Sequence, residues 1–281
     1  MDEGEIRILI LSGIASGMFF FAWYSKIFAV WPRDRGKPAK TVLGLLPAVA
    51  FSIFVYTLTA LAASDVVNDP FYIIFYILMG FAWLYLGVFI MSYFLDLSWV
   101  DDILNMNNNA ALLAVAGGFL GLTVIYAAAN IGEGPGWWCV VFAGSLGLVS
   151  WTALALFMNL LTQASERITV GRDVSCGLRT GCFLFASGII LGRASAGDWT
   201  SLSATVLEFA TGWPALPLTA AAIIGEKLFA GLEKDSDAFG SGNFLESALW
   251  GTLLIGAAIV SVIIFPQISA EAVRSFIMQP R

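Results

Sequence analysis

The sequence predicts an all-α integral membrane protein, an eight-helix transmembrane bundle built from repeated two-helix hairpins. Composition is the first reason: 59% of residues are hydrophobic and 12% charged, with a mean hydropathy of +0.84, against roughly 45–50% apolar and about 25% charged in soluble domains. The second is a set of eight apolar stretches long enough to cross a bilayer. The third is a recurring marker, an Asn or Asp eight residues before a Gly: Asn109 to Gly117, Asp173 to Gly181 and Asn243 to Gly251. Its copies stand 64 and 70 residues apart, about the length of one membrane hairpin with its loops.

Taken in order, the predicted spans are 7–30, 41–63, 71–95, 109–130, 136–162, 173–195, 203–229 and 246–265. Turn and breaker residues separate them: PRDRGKP after the first, NDP after the second, GEGPG after the fourth and DSDAFGSGN after the seventh. The first run is long and aromatic and lacks a basic leader and a small-residue cleavage site, so it reads as a retained span. The expected division is 1–68 for a degenerate first hairpin, 69–200 for a four-span unit, 201–266 for a further hairpin, and 267–281 for a tail. That tail is too short and polar to span. It either rests in the interface or docks loosely.

Lys and Arg orient the bundle, because positive loops stay cytoplasmic. One side collects Lys26, Arg33, Arg35, Lys37, Lys40, Arg167, Arg172, Arg179, Lys227 and Lys234; the other has Arg7, Arg193, Arg274 and Arg281. Both termini are expected outside, and all three markers open helices at the cytoplasmic face. The net charge of −6 comes from acids in loops and near the N-terminus, which water solvates. No basic stripe with interleaved aromatics suggests nucleic acid. Cys139, Cys176 and Cys182 have no ligand-like spacing and no His to join them, so neither a metal nor a cofactor is expected.

Two readings compete for the repeated polar residues. Asn107, Asn108, Asn109, Arg172, Asp173 and Asn243 are either helix caps, whose oxygens accept from unpaired backbone N–H groups, or the lining of a cytoplasmic polar mouth where helix N-termini favour an anion. Asn243 with Glu246 also fits a capping box. Glu208, about five residues into the seventh span, is costly as an ion without a partner or water. Pro214 and Pro217 can break the helix beyond it and open a polar pocket. Arg193, near the same outer face, is the expected partner, so the pair is either structural or a coupling site. Arg179 either snorkels to the headgroups or pairs with Glu226 or Asp173. Asn159 and Gln163 read as interhelical hydrogen-bonding groups, and Gly117, Gly118, Gly121, Gly188 and Gly192 as close-packing positions. With no His, and no Walker or GxGxxG loop, no enzyme is expected.

From about 71 to 199 the chain resembles the bacterial inner-membrane family catalogued as domain of unknown function 350, small four-span proteins. The segments that carry the resemblance are ILNMNNNAALLAVAGGFLGLTVIYAAA and LTQASERITVGRDVSCGLRTGCFLFASGIILG. Within them Asn108, Asn109, Ala110, Ala111, Gly117, Gly121, Ser165, Glu166, Arg167 and Ile168 match the family pattern, while Asp173 replaces its usual Asn. The resemblance implies a plasma (bacterial inner) membrane location and carries no activity. Two functions stay open. One is a small-solute or ion transporter or channel-like bundle using Glu208, Arg193 and the Asn-rich mouth. The other is a non-catalytic scaffold or accessory subunit, whose partners are the lipid bilayer, further copies of the chain or other membrane subunits.

Overall fold

A computed structural model describes residues 2–30, 38–235 and 243–265. Its α-helices are α1 (Glu3–Val30), α2 (Pro38–Ala60), α3 (Ser64–Val67), α4 (Pro70–Phe94), α5 (Asn109–Ala129), α6 (Trp137–Thr162), α7 (Ala164–Thr169), α8 (Val174–Ser195), α9 (Leu202–Phe209), α10 (Ala215–Asp235) and α11 (Asn243–Ile264). Trp99–Asn105 forms a π-helical segment and Ala210–Gly212 a 3-10 turn. Eight helical stretches are long and apolar enough to span a membrane, and their ends fall within four residues of the sequence segmentation. The protein is an all-α, multi-pass membrane bundle. The tail 267–281 lies outside the described residues.

Local chemistry explains the boundaries. Asp69 accepts from the Phe71 amide at 2.8 Å, and Pro70 follows at the first helical position, where a missing N–H costs nothing. Inside α2, Pro47 withdraws the donor that the carbonyl four residues earlier would receive. That carbonyl, on Leu43, instead accepts from the indole N–H of buried Trp23 at 2.9 Å, so the gap in α2 becomes a joint with α1. The seventh span is broken, as its prolines predict. α9 ends at Phe209 and α10 resumes at Ala215, just past Pro214.

The middle of the chain is a structural repeat. After α4, Asp96 takes a left-handed conformation (φ 54°), the π-helical segment follows, Asn107 is again left-handed (φ 53°), and α5 begins. After α6, Gln163 is left-handed (φ 54°), α7 follows, Arg172 is left-handed (φ 53°), and α8 begins. Each unit is a long helix, a short helical brace at the surface, and a second helix driven back through the bundle.

Those second helices, α5 and α8, are the two most buried spans and make the most extensive helix contact in the molecule. They run parallel. A Cβ on Gly117 would strike the Gly181 carbonyl, one on Gly177 the Ala110 carbonyl, and one on Gly188 the Gly121 Cα. The backbones therefore touch, as small residues allow between membrane helices. α2 packs on the other side of α5 and α11 on the other side of α8, while α1, α4, α6 and α10 flank this row.

Gly181→Ala is expected to lower stability by about 1–3 kcal/mol, the usual cost of overpacking, because the obstacle is backbone that cannot rotate away. Gly256→Ala, with nothing within 4 Å of the new carbon, should leave the melting temperature in detergent unchanged.

Candidate functional site

Polar residues gather at both ends of the α5–α8 pair. At the end where these helices begin, the three asparagines do three different things. Asn107 occupies the left-handed position that Asn tolerates better than most residues. Asn108, 2% exposed, is the cap, its Oδ1 accepting from the amides of Ala110 at 2.9 Å and Ala111 at 3.2 Å, and its Nδ2 donating to the Ile168 carbonyl at 2.7 Å. Asn109 is the first helical residue and is exposed. The repeat spacing is therefore one residue longer than the marker suggested: Asn108 matches Asp173, since the cap is the residue with extended backbone.

Asp173 caps α8, accepting from the Cys176 amide at 2.9 Å, and its other oxygen accepts from Arg167 Nη2 at 2.5 Å. Asn108 and Asp173 fold back on their own helices and are each clasped by α7. Arg172 is exposed beside Asp173. The side chain of Asn243, and with it the predicted capping box, lies outside the described residues.

Behind these caps is a buried ionic cluster. Arg167 Nη1 donates to Glu226 Oε1 at 2.6 Å. Arg179 grips the same carboxylate twice, Nε to Oε2 and Nη2 to Oε1, both at 2.7 Å. Its Nη1 donates to Ser247 Oγ at 2.6 Å, and its guanidinium lies 4.5 Å from the Phe229 ring centroid. Arg179 and Glu226 are each 1% exposed. Arg179 therefore pairs inward and does not snorkel, because α10 places an anion at its level and a planar guanidinium fits a carboxylate with two donors. Among the described residues two cations meet two anions, and the cluster joins α7, α8, α10 and α11.

At the same end, the Asp102 carboxylate accepts from the Ser98 amide at 2.9 Å within the π-helical segment. Desolvation pushes its pKa above the ordinary carboxylate value, against the opposing Ser98 hydrogen bond and the positive charge of Arg172.

The opposite end is built by two matching loops. Gly132 and Gly197 take φ of +114° and +143°, values that side chains rarely adopt, and a Cβ on Gly132 would meet the Gly197 carbonyl. Around this contact the Gly197 amide donates to the Ile131 carbonyl at 2.9 Å, the Trp199 amide to the Glu133 carbonyl at 2.7 Å, and the Glu133 amide to Asp198 Oδ1 at 2.8 Å. Beside the loops is a cavity of about 50 Å³, which Glu208 borders together with Tyr76, Asn130 and Glu133. Arg193 borders a neighbouring crevice of about 10 Å³ with Thr211 and Pro214. Glu208 and Arg193 thus share an end of the bundle but line different spaces, and that end is opposite the caps.

Asn159 and Gln163 shape a turn where interhelical bonds were expected. Asn159 Oδ1 accepts from the Ser165 amide at 2.8 Å, and Gln163 supplies the left-handed residue. Sequence reasoning did not single out Tyr76, Asn130 or Glu133. The loop repeat does carry a signal for Glu133, since Gly132-Glu133 and Gly197-Asp198 keep the same spacing as Asn108 and Asp173.

A family model matches residues 43–195, more than half of the chain. The chain belongs to that family, described as Domain of Unknown Function (DUF350). The match begins inside α2 and ends with α8, so it contains both structural repeats, the Asn108 and Asp173 caps and the Gly132–Gly197 contact. Glu208 and Glu226 lie beyond it. No curated protein and no solved structure matches the chain.

Glu226→Gln is expected to cost about 3–5 kcal/mol, because it removes the negative charge that the buried Arg179 guanidinium grips with two donors. Adding Arg179→Met in the same chain should recover part of the loss in a thermal unfolding assay. Asp102→Asn has a pH signature. A carboxyl whose folded pKa is raised binds protons more tightly in the native state, so its contribution falls as pH climbs through the unfolded and then the folded pKa. The variant should be more stable than the parent at neutral pH, with the difference vanishing below the ordinary carboxylate pKa.

Proposed function

We propose that this membrane protein moves a small solute or ion across a bacterial-type plasma membrane, with both termini outside and the broken seventh span as its working element. One observation carries the reading: that span holds a carboxylate toward each end, Glu208 at the cavity and Glu226 in the buried cluster, on either side of the break at Pro214. Ionisable groups inside membrane spans are costly and tend to mark ion or proton paths. Interrupted helices place free backbone groups and hinges at transport sites. The ten-to-four distribution of basic residues supports the orientation. The proposed role is non-enzymatic, in keeping with a chain that has no His.

A second reading, a membrane scaffold or accessory subunit, is favoured by the direct backbone contact of α5 and α8, which fills the pseudo-symmetric interior with packed chain. Flux separates the two. Protein reconstituted in liposomes should carry protons or small cations faster than protein-free vesicles, and Glu208→Gln should slow that flux severalfold or alter its pH dependence. Folded protein that leaves every tested ion and small solute at the protein-free rate would remove the transport reading and leave the scaffold.

A further inference from the structure

The crevice that Arg193 borders adjoins the point where the chain leaves its last span. α11 ends at Ile264, and Phe265 lines the crevice of about 10 Å³ together with Arg193, Ala194, Thr211 and Pro214. Its ring meets Trp213 edge to face, with centroids 5.2 Å apart, so the exit of α11 is pinned against the break in the seventh span. Ala194 also borders the cavity that Glu208 lines, and the Thr211 hydroxyl donates to the Glu208 carbonyl at 2.6 Å. Phe265, Arg193 and Glu208 therefore lie along one short path over this end of the bundle.

The sequence that follows Phe265 suits that path. PQISAEAVRSFIMQPR carries one acid, Glu271, and a base three residues later, Arg274. The bundle offers the opposite order, Arg193 beside Phe265 and Glu208 beyond it. Both of these side chains are partly buried, where salt screens an ion pair less than at an open surface, and neither is without a partner. Reach is sufficient: Glu271 and Arg274 stand six and nine residues past Phe265, about 20 and 30 Å of extended chain or about 9 and 14 Å of helix. On a helix, Glu271 and Arg274 would share one face and Val273, Phe276 and Ile277 the other. Such a segment turns its charged side to the bundle and rests its apolar side in the membrane interface.

We infer that the segment 267–281 docks across this end of its own bundle, with Glu271 on Arg193 and Arg274 on Glu208. A guanidinium fits a carboxylate with two donors. Two such pairs of opposite sense also fix the direction of the segment, since reversing it would set like charges together. So placed, it covers the crevice and ties α11 to both sides of the break in the seventh span. The docking goes beyond the transport reading and is measured without flux.

The test uses the full chain in phosphatidylcholine nanodiscs. Glu208→Cys with Arg274→Cys should close a disulfide within one chain under mild oxidation, identified by peptide mapping. Asp101→Cys, at the opposite end, should form none with Arg274→Cys. Amide hydrogen exchange of 267–281 reads the ion pairs. Arg193→Glu should speed that exchange severalfold, Glu271→Arg should do the same, and the two together should return it toward the parent rate. Glu271→Arg alone carries the comparison if Arg193→Glu does not fold. Exchange unchanged in the single variants, or no slower in the double variant, would overturn the docking. A disulfide that forms only between chains would give the segment to a second copy, and protection that appears only when phosphatidylglycerol is added would give Arg193 to a lipid phosphate; either result also overturns it. Docking without flux would keep the segment in place and remove transport alone.

Discussion

The backbone contact between α5 and α8 is the constraint on which the rest of the bundle depends. Membrane helices gain little from hydrophobic burial against one another, since lipid is as apolar as Leu, and they associate through packing and hydrogen bonds. Glycines at 117, 177, 181 and 188 remove the side chains that would hold the two backbones apart. The Trp151 indole N–H reaches the Leu184 carbonyl at 2.8 Å beside this seam. With the pair fixed in parallel, its two caps lie at one end and the loops through Gly132 and Gly197 meet at the other. Both polar regions are consequences of one seam.

Charge is handled differently at the two ends. The described cluster of Arg167, Asp173, Arg179 and Glu226 sets two cations against two anions, with three of its ion-pair contacts at 2.5–2.7 Å. Four charges can stay inside an apolar bundle on those terms, since each has an opposite partner and further hydrogen bonds. The cavity at Glu208 has three acids and no basic residue in its described lining. One end is an ionic joint between helices, and the other is a pair of matching loops beside a cavity that three acids border. The seventh span, interrupted between Phe209 and Ala215, connects them.

Much of the repeat was legible in the sequence, though its register was not. Asn109 and Asp173 looked equivalent because each precedes a Gly by eight residues, whereas the structural equivalents are Asn108 and Asp173. The triple Asn hid the answer: three identical side chains in a row differ only in backbone conformation, and the sequence does not print φ. Arg179 was legible as a misfit in an apolar span, but whether it reached lipid headgroups or Glu226 depended on the rotation of α10 about its axis. The cavity was half legible. Glu208 announced itself as a charge in a span, while Tyr76 and Asn130 look like ordinary helix residues until the fold buries them around one space.

Composition, run length and breakers were enough to set eight spans, their order and the break near Pro214. These properties are local: twenty apolar residues must hide their backbone in a helix wherever they lie, and a proline interrupts the ladder whatever surrounds it. Which helices touch, and which polar groups meet, belongs to the folded chain. Arg179 and Glu226 are 47 residues apart and Asn108 and Ile168 are 60 apart, and their meeting depends on how closely α5 and α8 approach. That distance is set by whether a glycine on one helix faces backbone or side chain on the other, which is a relation between two helices and is written in neither alone.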